Sequence, residues 1–157
     1  MKTTLLLRRL LEEVPPRLEN LPEAANARKP SPLKWSPKEQ LGHLLDSAAN
    51  NHQRMVRTQL EDNPAMPDYD GDRWVELHRY QQTDWRDLIE RWRTLNGQLL
   101  AAVESSSEAA WQRTCTIGRS APVTLQFVFK DYVDHMLHHL QHMGIEVGDF
   151  RKSFTEN

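Results

Sequence analysis

The stretch Thr124–Gly144, TLQFVFKDYVDHMLHHLQHMG, decides the fold. Its residues Leu125, Val128, Phe129, Tyr132, Met136, Leu140 and Met143 recur at steps of three and four. That is the period of a helix that buries one face. The same stretch carries four of the chain's seven histidines, His135, His138, His139 and His142. The helix is expected over about 122–143.

Three further segments repeat the pattern. Over 83–104, Trp85, Leu88, Ile89, Trp92, Leu95, Leu99 and Val103 form the cleanest apolar stripe, with Asn96 inside it as a polar residue needing either a core partner or a polar cavity. Before that, Ser36, Pro37 and Glu39 make a helix start: a capping side chain, a proline at the first helical position and the glutamate of a capping box. This helix is expected to reach about Asp62, burying Leu41, Leu44, Leu45, Ala48, Ala49, Met55 and Val56. The first segment, 4–21, carries Leu7, Leu10, Leu11, Val14, Leu18 and Leu21, with a break or kink expected at Pro15 and Pro16. Residues 22–35, 63–81 and 105–121 read as connections, and the tail from Gly144 has no period. Within 63–81, Asp68 to Asp72 (DYDGD) lacks the glycine position and closing glutamate of a calcium loop and reads as a solvated turn.

Composition agrees with helices: 20 Leu against 11 Val plus Ile, and six Gly. The expected fold is all-α, a four-helix bundle in one domain spanning 1–157. One cysteine, Cys115, excludes an internal disulfide and any multi-cysteine metal site. The net charge of −2 gives no electrostatic reason for a nucleic-acid or membrane partner. Arg8 and Arg9 interrupt the only apolar N-terminal run, and no run reaches the 18 or more residues of a membrane helix, so the cytoplasm is the expected compartment.

No phosphate loop, HExxH, GxSxG or paired CxxC is present. The histidines remain. His135 and His139, four apart on the flank of the apolar stripe, can share a metal ion from one helix face; His138 points to solvent and His142 lies near the flank. A metal site needs a third ligand from another helix. His52 lies on the apolar face of the second helix, whereas His43 lies on its polar face with Asp46, Asn50 and Arg54. A core argument favours His52 and a polar-pocket argument favours His43. Asp131 before His135, and Asp46 after His43, are candidates to orient those rings from behind. Arg54 and Arg57 share the polar face of the second helix and could receive a carboxylate-bearing thiol, with plain solvation as the alternative.

The stretch Trp35 to Arg54, WSPKEQLGHLLDSAANNHQR, and the stretch 124–144 together resemble the DinB/YfiT-like superfamily of metalloenzymes, as do Tyr80, Trp85, Trp92, Leu95 and Asn96 between them. The resemblance covers about 35–145. It implies a four-helix bundle holding a divalent metal, zinc or nickel, on His43, His135 and His139, and a homodimer. This chain departs from the family's His-His-x-Gly-Gln-Ile ending, with Leu140, Gln141 and His142 after the pair, which keeps His142 as an extra ligand candidate. The resemblance further implies a metal-dependent enzyme that transfers a low-molecular-weight thiol to an electrophilic small molecule. A metal-dependent hydrolase, or a non-catalytic bundle binding a ligand or partner, are the alternatives.

The three histidines also constrain topology. His43 lies roughly 10 Å from the start of its helix and His139 roughly 6 Å from the end of its own. They meet only if the second and fourth helices are antiparallel. The predicted order is therefore up-down-down-up, with 63–81 crossing the bundle so that the third helix runs parallel to the second.

Overall fold

The computed structural model describes residues 2–155, with side chains to 152. Four long helices make the bundle: α1 (Lys2–Glu19), α3 (Pro37–Leu60), α5 (Trp85–Glu104) and α7 (Leu125–His142). Their starts follow local chemistry. Ser36 Oγ accepts the Glu39 amide at 3.3 Å while Glu39 Oε2 accepts the Ser36 amide at 2.9 Å, completing the predicted capping box. Asp84 caps α5 through the Asp87 amide, and Thr124 caps α7 through the Phe127 amide.

Contacts along the helices fix their directions. From α3 to α5, Lys38 Nζ donates to the Thr83 carbonyl just before α5, and Gln59 Nε2 donates to the Ala102 carbonyl near its end. These two helices are parallel. From α3 to α7, Gln40 meets His139, Ser47 meets His135, and Arg113, whose carbonyl accepts the Leu125 amide at the start of α7, donates to the Thr58 carbonyl. These two are antiparallel. Trp85 Nε1 donates to the Leu18 carbonyl at 3.0 Å, and Arg8 pairs with Glu104, so α1 opposes α5. The order is up-down-down-up, as predicted, and a long crossover joins α3 to α5.

Several expectations are corrected. The helix α1 runs unbroken through Pro15 and Pro16. Two amide hydrogens are missing there, but Val14, Pro15 and Leu18 are buried and the Leu18 carbonyl is tied to Trp85. Packing outweighs the lost backbone bonds. The connections are structured, and the all-α bundle carries a small sheet within them. Short helices α2 (Glu23–Asn26), α4 (Gly71–His78) and α6 (Glu108–Trp111) lie within them, with a 3-10 turn at Tyr80–Gln82. The two long connections also pair into a small sheet ordered β1 (Ala65–Met66), β2 (Thr114–Ile117), β3 (Val123–Thr124), parallel between β1 and β2 and antiparallel between β2 and β3. Runs of two to four residues are too short to show a period. The tail forms α8 (Gly148–Thr155) against α1, where the Arg9 and Arg17 guanidinium groups lie 4.8 and 4.9 Å from the centre of the buried Phe150 ring.

Trp92, Phe129, Tyr132, Leu7, Leu10, Leu41, Leu44, Leu88 and Leu99 are among the fully buried core residues. On α3, Ala49 is exposed and Val56 half-buried, whereas His43 and Asp46 are buried. The stripe of that helix is thus shifted toward residues that look polar in sequence. Among the described residues, no helix is long and apolar enough to cross a membrane.

Candidate metal centre

The polar side chains of α3 that face α7 are Gln40, His43, Ser47, Asn51 and Arg54, spaced by three and four. In the recess around the histidine cluster, Gln40 lines a cavity at the His139 end, and Ser47, Asn51 and Arg54 line one at the His135 end. His43 Nε2 lies 3.2 Å from His135 Nε2, and His139 Nε2 lies 2.9 Å from His135 Nε2. One ring nitrogen from each of the three lies within 4.8 Å of the others. The recess is closed above by Trp35, whose ring centre is 4.8 Å from that of His43 and 6.1 Å from that of His139.

The back nitrogens select the tautomers. His139 Nδ1 donates to Gln40 Oε1, which leaves the Nε2 lone pair free and facing the cluster. His135 Nδ1 approaches Ser47 Oγ at 3.5 Å. His43 Nδ1 is buried and has no hydrogen-bond partner among the described residues. Gly71, the first residue of α4, sits against that edge: a Cβ there would lie 2.9 Å from His43 Cε1 and 3.2 Å from Nδ1.

Burial keeps all three rings neutral. It pushes His43 down to about 4, with His135 adding to the effect, and His139 down to about 3, with the neighbouring histidines adding. His135 is lowered too, by burial first, against the pull of Asp131. Neutral imidazoles with lone pairs in one space are what a divalent cation requires.

The donor set fits such an ion on geometry as well. A single neutral Nε2 is either donor or acceptor, so His135 Nε2 cannot satisfy both neighbours. A cation accepts all three lone pairs at once. Tetrahedral coordination with bonds of 2.0–2.1 Å places nitrogens about 3.3 Å apart, close to the 3.2 and 2.9 Å found.

Two cavities open on the cluster. One of about 410 Å³ reaches His139 past Lys34, Trp35 and His142. The other, about 200 Å³, reaches His135 between α3 and the sheet.

The remaining sequence candidates fall elsewhere. Asp46 does not support His43. Its buried carboxylate accepts the Tyr80 hydroxyl at 2.6 Å and lies 2.9 Å from His78 Nδ1, three residues along α3 and off the recess. Asp131 is exposed at the mouth of the smaller cavity and raises the His135 pKa by its charge, with no hydrogen bond to that ring. Ser47 takes the place proposed for Asp131 behind His135, Gln40 stands behind His139 instead, and among the described residues nothing takes the place proposed for Asp46 behind His43. Asn50 donates to the Asp46 carbonyl and lines neither cavity. Asn96 is a satisfied core residue, donating to the Trp92 carbonyl and accepting the Tyr132 hydroxyl. His142 is exposed and lines the larger cavity without joining the three nitrogens. His138 is exposed as expected, and His52 is half-buried outside the cluster.

Gln40, Ser47 and Asn51 escaped the sequence reading. Their signal was available: with His43 and Arg54 they form one face at helical spacing.

Comparisons with known proteins agree with this architecture. The chain is 27% identical over 143 residues to the Bacillus subtilis (strain 168) "Putative metal-dependent hydrolase YfiT", covering 85% of this chain and 78% of that protein. The solved structure of YfiT, described as "a probable metal-dependent hydrolase with an unusual four-helix bundle topology", superposes with a TM-score of 0.69 at 21% identity, over 92% of this chain and 89% of the other. The mycothiol-dependent maleylpyruvate isomerase superposes with a TM-score of 0.74 at 12% identity, over 97% of this chain, which spans 64% of the isomerase's length. Residues 6–143 match the sequence profile of the DinB superfamily, and the chain belongs to that superfamily.

Proposed function

We propose that the chain is a metal-dependent enzyme that uses His43, His135 and His139 to hold a divalent ion, zinc or nickel, and transfers a low-molecular-weight thiol to an electrophilic small molecule. The observation that carries the reading is the convergence of the three neutral Nε2 atoms at the junction of two cavities. A dipositive ion held there would supply a Lewis acid able to keep a thiol or water deprotonated at neutral pH.

The chain's own residues do the rest. Gln40 fixes the His139 tautomer, and Ser47 stands behind His135. Trp35 covers the cluster from one side and limits water. Three neutral ligands leave the ion its full charge, which favours an anionic sulfur over a neutral one. The mycothiol-dependent isomerase is a relative in fold that works with a thiol. The second reading, a metal-dependent hydrolase, is favoured by the name of the Bacillus subtilis relative. A cytoplasmic homodimer acting on small molecules belongs to the same proposal.

Metal analysis of freshly purified protein tests the site. Near-stoichiometric metal, lost in His43→Ala and His135→Ala, supports it; metal-free protein with an intact fold refutes it. Conjugation of monochlorobimane by the metal-loaded protein with cysteine or another small thiol supports transfer. Turnover of esters or amides with no thiol present favours hydrolysis.

A further inference from the structure

The smaller cavity has two unlike walls. From α3 it receives Ser47, Asn51 and Arg54; from the sheet and α7 it receives the side chains of Ile117, Val123 and Val128. His135 stands at one end of it. Ser47 Oγ links that ring to Asn51, whose Nδ2 donates to it at 3.3 Å. A polar rail thus runs from the metal centre to the Arg54 guanidinium.

Arg54 is held unusually loosely for its depth. Its side chain is only 11% exposed. Among the described residues its side chain makes two hydrogen bonds, to Asn51 Oδ1 at 3.5 Å and to the Pro67 carbonyl at 3.4 Å, both at the limit of a real bond. Its nearest counter-charge, Asp68 Oδ1, is 3.9 Å away on a side chain that is 76% exposed. A guanidinium has five donors in a planar fork that matches a carboxylate. Most of that capacity is unused here, in a recess where an unpaired cation is costly. The direction is right as well. Side chains on a helix lean toward its N-terminus, so Arg54 leans along α3 toward Ser47 and His43. The Cα atoms of Ser47 and Arg54 are separated by about 10 Å of helix axis, a span bridged by a short chain once the arginine has reached back.

We infer that Arg54 is the anion-recognising residue of the substrate cavity, and that the substrate is a small organic carboxylate on a short apolar chain whose other end reaches the three histidines. The apolar wall takes the chain, Arg54 takes the carboxylate in a two-point bond, and Asp131 at the mouth disfavours a second negative charge at the outer end. The inference rests on the proposed enzymatic reading for the word substrate, and its test is independent of the metal.

The test is calorimetric titration of the full-length protein, stripped of metal and dialysed free of chelator, with hexanoate, the uncharged hexanamide and inorganic phosphate. Wild-type protein is expected to bind hexanoate at least tenfold more tightly than hexanamide, and more tightly than phosphate. Arg54→Met should lose that tenfold preference, and Arg54→Lys should keep part of it, each with a native circular dichroism spectrum. Equal affinity for hexanoate and hexanamide in the wild type overturns the inference with no variant needed. Tighter binding of phosphate overturns the carboxylate assignment. Hexanoate preference without any metal uptake would refute the proposed enzyme and leave this site standing; stoichiometric metal without hexanoate preference would do the reverse.

Discussion

Replacing Gly42 by alanine puts a methyl group inside the Tyr80 ring. A Cβ at Gly42 would lie 2.0 Å from Tyr80 Cδ2, 2.1 Å from Cγ and 2.6 Å from Cε2. Carbon atoms in contact sit about 3.5–4.0 Å apart, so the ring must retreat by roughly 1.5 Å. It cannot do so freely, because the Tyr80 hydroxyl donates to Asp46 Oδ1 at 2.6 Å and Asp46 is buried. The other oxygen, Asp46 Oδ2, already lacks a partner among the described residues. Overpacking costs about 1–3 kcal/mol, and losing a hydrogen bond to a charged group about 1.5–3 kcal/mol. Alanine returns about 1 kcal/mol of helix propensity. The net expectation is a loss of about 1.5–5 kcal/mol, or roughly 3–20 °C in Tm for a domain of this size. Urea unfolding followed by circular dichroism measures it. Tyr80→Ala supplies the control: in that background Gly42→Ala should cost nothing, so the two changes are strongly non-additive. A Gly42→Ala protein within 1 kcal/mol of wild type, or one equally destabilised with Tyr80 removed, would refute the reasoning.

Three further outcomes follow from the same contacts. Gly71→Ala should push the His43 ring, with a Cβ arriving 2.9 Å from its Cε1, and lower metal affinity in chelator competition while the unfolding midpoint stays near wild type. Gln40→Leu removes the acceptor that fixes His139 and should weaken metal binding about 10–100-fold, with Gln40→Glu restoring it. For the metal-free protein, burial lowers His43 to about 4 and His139 to about 3 from an unfolded value near 6.5. The unfolded chain therefore binds more protons below pH 6.5, so stability falls as the pH drops from there toward 3–4, and is unaffected by these rings above it. Each ring contributes a slope of at most about 1.4 kcal/mol per pH unit; His43→Asn should make the acid fall shallower in urea titrations, and an unchanged slope would contradict the burial argument.

The long helices were legible because each carries a stripe of large apolar residues over five turns or so, and because Ser36 and Glu39 mark a start that needs no tertiary information. The direction of the helices was legible too, through the demand that His43 meet His135 and His139. What failed was the inference from polarity to exposure on α3. His43 and Asp46 look solvated on a helical wheel, yet both are buried, because the crossover lays Gly71 and Tyr80 against them. Asp131 looks like a partner for His135 by spacing alone. The hydroxyl that reaches His135 comes instead from Ser47 on the facing helix, a relation that no spacing within one helix can express. The prolines of α1 failed for a related reason: local cost is visible in the sequence and the packing that offsets it is not.

The crossover explains why the recess is where it is. Parallel α3 and α5 require the chain to return along the whole of α3, which at 24 residues is about 36 Å long. The return has to pass over some face of that helix, and the face next to α5 is already filled. It runs instead along the polar side, where three of its contacts serve the recess: Pro67 touches Arg54, Tyr69 lines the smaller cavity and Gly71 seats His43, while Tyr80 anchors the end of the crossover on Asp46 off the recess. A simple up-down-up-down bundle would need no such segment, and its α3 would leave Gln40, His43, Ser47, Asn51 and Arg54 in water. Burial is what holds those histidines neutral and that arginine short of partners. The chemistry of the site is therefore a consequence of the connection order, and shortening the crossover should abolish the site before it abolishes the bundle.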